Sequence, residues 1–337
     1  MKTRNILLGA VIIFAAVTSI AAETYKETYA KGIKEYKAKK YKESLATLSE
    51  AAKLAKTSDE KYNSMLYQGY SLKKMRKNDE AAKVFENLMK VEKLSAAQKN
   101  HVFSQYLLNI YWSKKYKEVI TIAEKTIADD KASANIKSNA ANLSCLSSGK
   151  IKKYDDEIKW AKKLQELNSK GVWYNRGFIY QAQALRAQKK YKEAEELLSK
   201  ENIAKMDPKL QGEAYLERGH IKANMKKYDE AVVEYTTVYE LPKGHPNNKE
   251  RAIVYAIEKF DAAGKLEEAM VWIKRIDTIK SKNLKARGFL RAAQLLQKQG
   301  KLKEAKVKWE ECKKIGPWWE KEAAKQIATI DKKLGAK

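Results

Sequence analysis

Lys226–Lys227–Tyr228–Asp229–Glu230–Ala231 is the stretch from which the chain can be read. Close copies stand at Lys39–Lys40–Tyr41, Lys114–Lys115–Tyr116, Lys152–Lys153–Tyr154 and Lys189–Lys190–Tyr191. Leucine replaces the tyrosine in Gly264–Lys265–Leu266 and Gly300–Lys301–Leu302, and asparagine does so in Arg76–Lys77–Asn78. The anchor residue recurs at 41, 78, 116, 154, 191, 228, 266 and 302, a period of 36–38 residues. A fixed period of this size marks an array of stacked supersecondary units.

Around each anchor the apolar pattern has helical spacing. Tyr215, Gly219 and Ala223 precede the sixth anchor; Ala231, Tyr235 and Val238 follow it, and Pro242 ends the second stretch. Each period is therefore a helix, a short turn and a second helix. Glycine (14) and proline (4) are scarce, and 44% of residues are apolar, which suits packed helices and not a disordered chain.

These residues resemble the tetratricopeptide repeat (TPR) family. In that family an early bulky residue is followed, four positions on, by a small one. Here the bulky residue is Met65, Phe103, Phe178, Tyr215, Ile253 and Phe289, and the small one Gly32, Gly69, Cys145, Ala182, Gly219 and Ala293. After the turn comes alanine (Ala81, Ala194, Ala231, Ala269, Ala305, with Ser44 and Val119 in its place elsewhere). A larger residue follows (Leu48, Phe85, Leu198, Tyr235, Ile273, Trp309). Small facing large lets two antiparallel helices approach closely. The family's usual period is 34; the extra residues here fall around 56–60, 91–98, 128–134 and 167–172. The fourth unit departs further, with Glu157 in place of alanine, and looser stacking is expected near residue 150. The resemblance implies an all-α, right-handed superhelical solenoid of about eight helix-turn-helix repeats over residues 23–315. Residues 316–337, with Pro317, Trp319, Ala323, Ile327 and Ile330, read as a C-terminal capping helix.

Residues 1–22 read as an export signal: Lys2 and Arg4, an uncharged apolar run from Ile6 to Ile20, and small residues before a cleavage site at Ala22 or Glu23. An uncleaved N-terminal anchor is the alternative, and membrane contact is expected only in that case. The expected location is the bacterial periplasm or the outside of the cell. Two cysteines, Cys145 and Cys312, lie four repeats apart, and no bond between them is expected.

The formal charge of +27 favours anionic partners. An exported chain has little occasion to meet nucleic acid, so none is expected. The paired lysines Lys39, Lys40, Lys114, Lys115, Lys152, Lys153, Lys189, Lys190, Lys226 and Lys227 end first helices, where the helix dipole favours cations; the acids after them open second helices. In a solenoid they share one edge, a basic ridge open to an anionic envelope glycan or polymer.

The resemblance also implies a concave groove lined by first helices, holding an extended peptide or a protein partner. Its inward positions fall on Tyr29, Tyr36, Tyr70, Tyr111 and Trp112, with Lys73 and Lys74 beside them. Further along they fall on Asn142, Arg176, Gln183, Arg186, His220 and Asn224, then Arg251, Glu258 and Asp261. Aromatics with arginine and lysine suit an acidic or C-terminal peptide; packing between neighbouring first helices would explain the aromatics equally well. Catalytic chemistry finds little to stand on. His101, His220 and His245 have no metal-ligand spacing with one another or with cysteine, and phosphate-cradling glycine loops and G-x-S-x-G settings are absent. Glu195–Glu196 and Glu267–Glu268 read as solvated helix faces. The expectation is a non-enzymatic scaffold without cofactor or metal.

Overall fold

The computed structural model describes residues 24–335; the leader read at 1–22 lies outside the described residues. Among the described residues all regular structure is helical. No described helix is long and apolar enough to cross a membrane. The chain packs as two compact units, one ending at Val102 and one beginning at Phe103.

In the first unit, α1 (Tyr25–Lys37), α2 (Tyr41–Leu54), α3 (Ser58–Lys74) and α4 (Asn78–Met89) pack consecutively, and α1 also lies against α3. The unit boundary falls in α5 (Ala96–Trp112). The second unit continues with α6 (Tyr116–Ala128), α7 (Ala134–Lys150), α8 (Tyr154–Glu166), α9 (Gly171–Ala187), α10 (Tyr191–Leu197) and α11 (Lys200–Ala204). Then come α12 (Pro208–Asn224), α13 (Tyr228–Glu240), α14 (Pro246–Ala262), α15 (Leu266–Ile273), a 3-10 turn (Ile276–Thr278), α16 (Lys282–Lys298), α17 (Leu302–Lys313) and α18 (Pro317–Lys333). First helices α7, α9, α12, α14 and α16 lie side by side in sequence.

Every anchor is the first residue of a second helix. The turn before it is built one way throughout. In the sixth repeat Lys226 N–H donates to Ala223 O and Lys227 N–H to Lys222 O, the paired reverse bonds of a Schellman motif. That motif needs its first residue in the left-handed region. Lys39, Arg76, Lys114, Lys152, Lys189 and Lys226 have φ of 60–64°, and Gly264 and Gly300 have φ of 73°. Six side-chain-bearing residues thus occupy a conformation that costs roughly 1 kcal/mol more for them than for glycine. The second lysine of each pair stands at the N-cap with no side-chain capping bond. The acids of the following turn complement the helix dipole in its place.

Close approach follows the small-against-large rule. A Cβ on Gly69 would lie 2.3 Å from the Phe85 ring, and one on Gly219 2.4 Å from Tyr235. Phe85 and Tyr235 are fully buried. The first helices α3, α5, α7, α9, α12, α14 and α16 each have 17 residues, and of the extra stretches 91–95 and 129–133 lie in the connections between units. Second helices are not all continuous. Ser199 caps a fresh helix in the fifth repeat, and the seventh ends in the 3-10 turn.

The fourth repeat is not where the array divides. Glu157 is buried opposite Gly149, whose absent Cβ would sit 2.8 Å from the Glu157 carboxylate, so the larger residue is matched by the missing one. Cys145 and Cys312 are buried free thiols. α18 buries Ala323 and Ile330 on the apolar cluster of the last repeats, with Trp319 and Ile327 packed beside them; Trp318 stays 84% exposed.

Candidate binding faces

In the first unit, the face shared by α1 and α3 is built from tyrosines. Tyr29 stacks on Tyr25 at 5.6 Å and meets Tyr67 edge-on at 6.4 Å. Tyr36 meets Tyr67 at 5.3 Å and Tyr41 at 5.5 Å. Tyr67 continues to Tyr70 at 5.6 Å. The Tyr70 hydroxyl lies 2.6 Å from His101 Nε2, and the Lys73 ammonium stands 5.6 Å over the Tyr70 ring. Lys74 is exposed. Burial, then neighbouring tyrosines, push the Tyr29 and Tyr70 hydroxyls up to about 12. Burial and then Lys73 hold His101 below the usual histidine range.

In the second unit the corresponding face is charged. Tyr111 is buried against Tyr116 and Trp112, and Trp112 is 59% exposed. Beyond them, one first helix pairs with the next. Arg176 lies 3.8 Å from Glu213 and 5.7 Å from the Trp173 ring. Arg186 donates to both carboxylate oxygens of buried Glu217. Asn142 accepts from the Tyr180 hydroxyl at 2.8 Å. The two arginines read as peptide contacts are thus engaged by carboxylates on the next first helix. Gln183 is partly buried and Asn224 exposed. His220 accepts or donates at 2.9 Å to Tyr235 Oη and meets the Tyr255 ring at 4.6 Å. Burial, and then Arg186, Arg251, Lys259 and Arg287, pull its pKa down to about 3.

That histidine marks a cationic cluster. Arg251 and Arg287 lie 5.8 and 5.2 Å from the Tyr255 ring. Arg287 and Arg291 share one oxygen of Glu258, at 2.7 and 3.0 Å. Asp261 is taken by Lys298 at 2.7 Å. A cavity of about 230 Å³ opens beside the cluster, lined by Ile257, Glu258, Lys259, Asp261 and Arg291. Tyr255, Lys259, Arg287 and Arg291 were not singled out from sequence. A larger cavity, about 580 Å³, lies away from this face between α6 and α8, with Ile120, Ile127 and Trp160 among its lining.

The ridge lysines 39, 40, 114, 115, 152, 153, 189, 190, 226 and 227 are all exposed. Acids stand beside some of them: Lys153 lies 3.6 Å from Asp156 and Lys227 3.3 Å from Glu230. Among the described residues, no group of three or more His, Cys, Asp or Glu could hold a metal.

No protein-family model and no curated protein matches the sequence. Solved structures do. A tetratricopeptide repeat protein from Parabacteroides merdae superposes with a TM-score of 0.50 at 12% identity, covering 80% of this chain and 98% of its own. The fold is TPR-like. A Rap protein complexed with competence and sporulation factor matches with a TM-score of 0.47 at 14% identity, over 92% of this chain and 98% of that one.

Proposed function

We propose that this chain is an exported, non-catalytic scaffold that holds an acidic protein or peptide segment on the first-helix face of its second unit, as part of a cell-envelope assembly. The basic, apolar and small-residue order of residues 1–22 supports export. The observation that carries the binding reading is the charge imbalance around Tyr255. Arg251 and Arg287 lie against the Tyr255 ring, Arg251, Lys259 and Arg287 all act on His220 beside it, and one carboxylate, Glu258, serves both Arg287 and Arg291. Guanidinium groups on an aromatic face recognise carboxylates with charge-assisted, two-pronged bonds. Arg176 and Arg186 each have a carboxylate partner of their own, whereas Arg287 and Arg291 share Glu258, so the excess positive charge is left at the Tyr255 cluster.

Isothermal titration of the mature chain with an Asp/Glu-rich peptide and its Asn/Gln counterpart tests this. The acidic peptide is expected to bind at least tenfold tighter, and Arg251→Gln with Arg287→Gln to abolish the preference. Equal binding of both peptides would sink it. The exposed lysines of the turns favour a second reading, contact with an anionic envelope polymer. Such contact should collapse between 50 and 300 mM salt (roughly a halving of the Debye length) and vanish when the ridge lysines become glutamine.

A further inference from the structure

We infer that the groove between the second helices α6 and α8 is a separate docking site for an extended partner segment that carries an aromatic side chain and, four residues from it, a carboxylate. The groove holds about 580 Å³, a volume typical of ligand sites. What it takes can be read from a second place in the same unit, where the chain fills the equivalent space itself.

That place lies between α13 and α15. Trp160 in α8 and Trp272 in α15 hold the same position, the sixth after the anchor, and both are buried. Trp272 is covered from the preceding second helix: the Tyr239 ring meets it edge-on at 5.5 Å. The Arg275 guanidinium stacks on both rings, 4.1 Å from Trp272 and 4.5 Å from Tyr239. At the turn end of the same cleft, Asp229 binds the Lys265 ammonium at 2.7 Å. A ring at one end and a carboxylate at the other thus tie these two second helices together.

Between α6 and α8 each of these parts is changed. Ile127 stands at the position of Tyr239, and among the described residues no ring and no cation stacks on Trp160. Lys163 stands at the position of Arg275, and its ammonium pairs with Glu166 at 3.0 Å. Lys117 stands at the position of Asp229, so it and Lys153 line the turn end of the groove with like charge. Lys153 is answered by Asp156 at 3.6 Å. That leaves Lys117 and Lys159 with Glu124 as the one lining acid outside an ion pair. The groove is therefore short of one ring and one negative charge. Ile120, Ile127 and Trp160 offer the ring an apolar seat, and Lys117 offers the carboxylate a charge-assisted bond.

The spacing sets the form of the segment. Positions 117 and 127 are ten residues apart on α6, about 15 Å along its axis. Four residues of extended chain cover about 13 Å, and side chains four apart leave the chain on the same side. One carboxylate and one ring so placed reach both ends of the groove together.

Fluorescence anisotropy on the full chain tests the assignment with a labelled Gly-Asp-Ser-Ser-Ser-Tyr-Gly peptide. Serine in place of its tyrosine should weaken binding at least tenfold, and asparagine in place of its aspartate at least threefold. Ile127→Tyr with Lys163→Arg supplies the ring and cation from within, as between α13 and α15. That double variant should weaken binding at least tenfold without lowering the melting temperature. Lys117→Asp, on the exposed rim, should remove the advantage of aspartate over asparagine. A parent peptide that binds no tighter than its serine version, or a Lys117→Asp variant that keeps the aspartate preference, would overturn the inference. So would loss of binding in the Arg251→Gln, Arg287→Gln variant, because the peptide would then sit at the Tyr255 cluster.

Discussion

The two units use the same turn and present opposite chemistries. Between α1 and α3 the first helices touch through tyrosine edges, with one lysine over the rings. Between α9, α12, α14 and α16 they touch through ion pairs: Arg176–Glu213, Arg186–Glu217 and Arg287–Glu258. A second set of ion pairs, Arg218 with Glu195 and Glu234 and buried Lys222 with Glu195 and Glu230, ties α12 to its neighbouring second helices. The difference teaches where information sits in such an array. Turn geometry and the small-against-large seam are fixed by close packing, so they repeat. The outer positions of the first helices are bound by no such rule, so they can be aromatic in one unit and ionic in another.

Removing one charge should break this comparison most visibly. Glu217 is almost fully buried, and Arg186 is its partner. Burial pushes the Glu217 carboxyl up and Arg186 pulls it back. Arg186→Met leaves that buried carboxylate without its ion-pair partner, with Arg251 still acting on it, and should cost about 3 kcal/mol. Tyr67→Phe in the first unit keeps its ring contacts and should change stability by less than about 0.5 kcal/mol. All seven tryptophans lie at or beyond Trp112, so urea unfolding followed by tryptophan emission reports the second unit. A loss below about 1 kcal/mol for Arg186→Met would show that the ion pairs decorate the face without holding it.

The pH dependence sharpens the contrast. Burial first, then Glu217, raise the Glu157 pKa to about 7, with Arg186 opposing. The folded state thus holds this proton more tightly than the unfolded state. Stability from Glu157 is full below about pH 4.5 and is lost as pH rises towards 7, a span worth roughly 3 kcal/mol. His220 acts in the other sense. Its folded pKa is depressed to about 3, so its contribution is present above about pH 6.5 and is lost as pH falls. Between about pH 4.5 and 6.5 the two slopes oppose each other. Glu157→Gln should therefore stabilise the second unit at pH 8 and uncover a slope of about 1.4 kcal/mol per pH unit in that window, stability falling with acid. A pH profile of urea midpoints unchanged by Glu157→Gln would discard the balance.

How much of this was readable beforehand depends on the range of the interaction. The eight anchors, the seam residues Gly69, Phe85, Gly219 and Tyr235, and the closing helix at Pro317 are local patterns, and sequence spacing carries them. The ion pairs are not local. Arg176 and Glu213 are one full period apart, and Glu258 meets Arg287 and Arg291 29 and 33 residues on. Arg176 and Arg186 looked available to a peptide because each was read within its own repeat. Comparing charges one period ahead finds the partner of Arg176, whereas Glu217 stands only 31 residues beyond Arg186, short of the period. The breaks at Ser199 and before Ile276 had only weak signals, since neither contains proline or glycine. The first lysine of each turn was read as a cation at a helix end. Its backbone, two residues before the anchor, is the stronger constraint.

That backbone gives the smallest effect and the one both units should share. Lys39, in the first unit, and Lys189 and Lys226, in the second, hold φ of 62–64°, where the seventh and eighth repeats use Gly264 and Gly300. These lysines are exposed, and a Cβ on Gly264 would meet nothing within 4 Å, so the effect of substitution is conformational and not steric. Replacing a lysine by glycine removes the left-handed strain of a branched Cα but loosens the unfolded chain, which offsets part of the gain. Each change, Lys39→Gly, Lys189→Gly and Lys226→Gly, should stabilise by about 0.5 kcal/mol, and Gly264→Lys should destabilise by about 1 kcal/mol. Melting temperatures of the four single variants check this. If Lys39→Gly behaves as Lys226→Gly does, the turn is one device used alike in both units, and the contrast between their faces owes nothing to it. If instead every glycine variant loses stability, the exposed lysine side chains must contribute more than their backbone strain costs, and the ridge would have to be read as an organised surface in its own right.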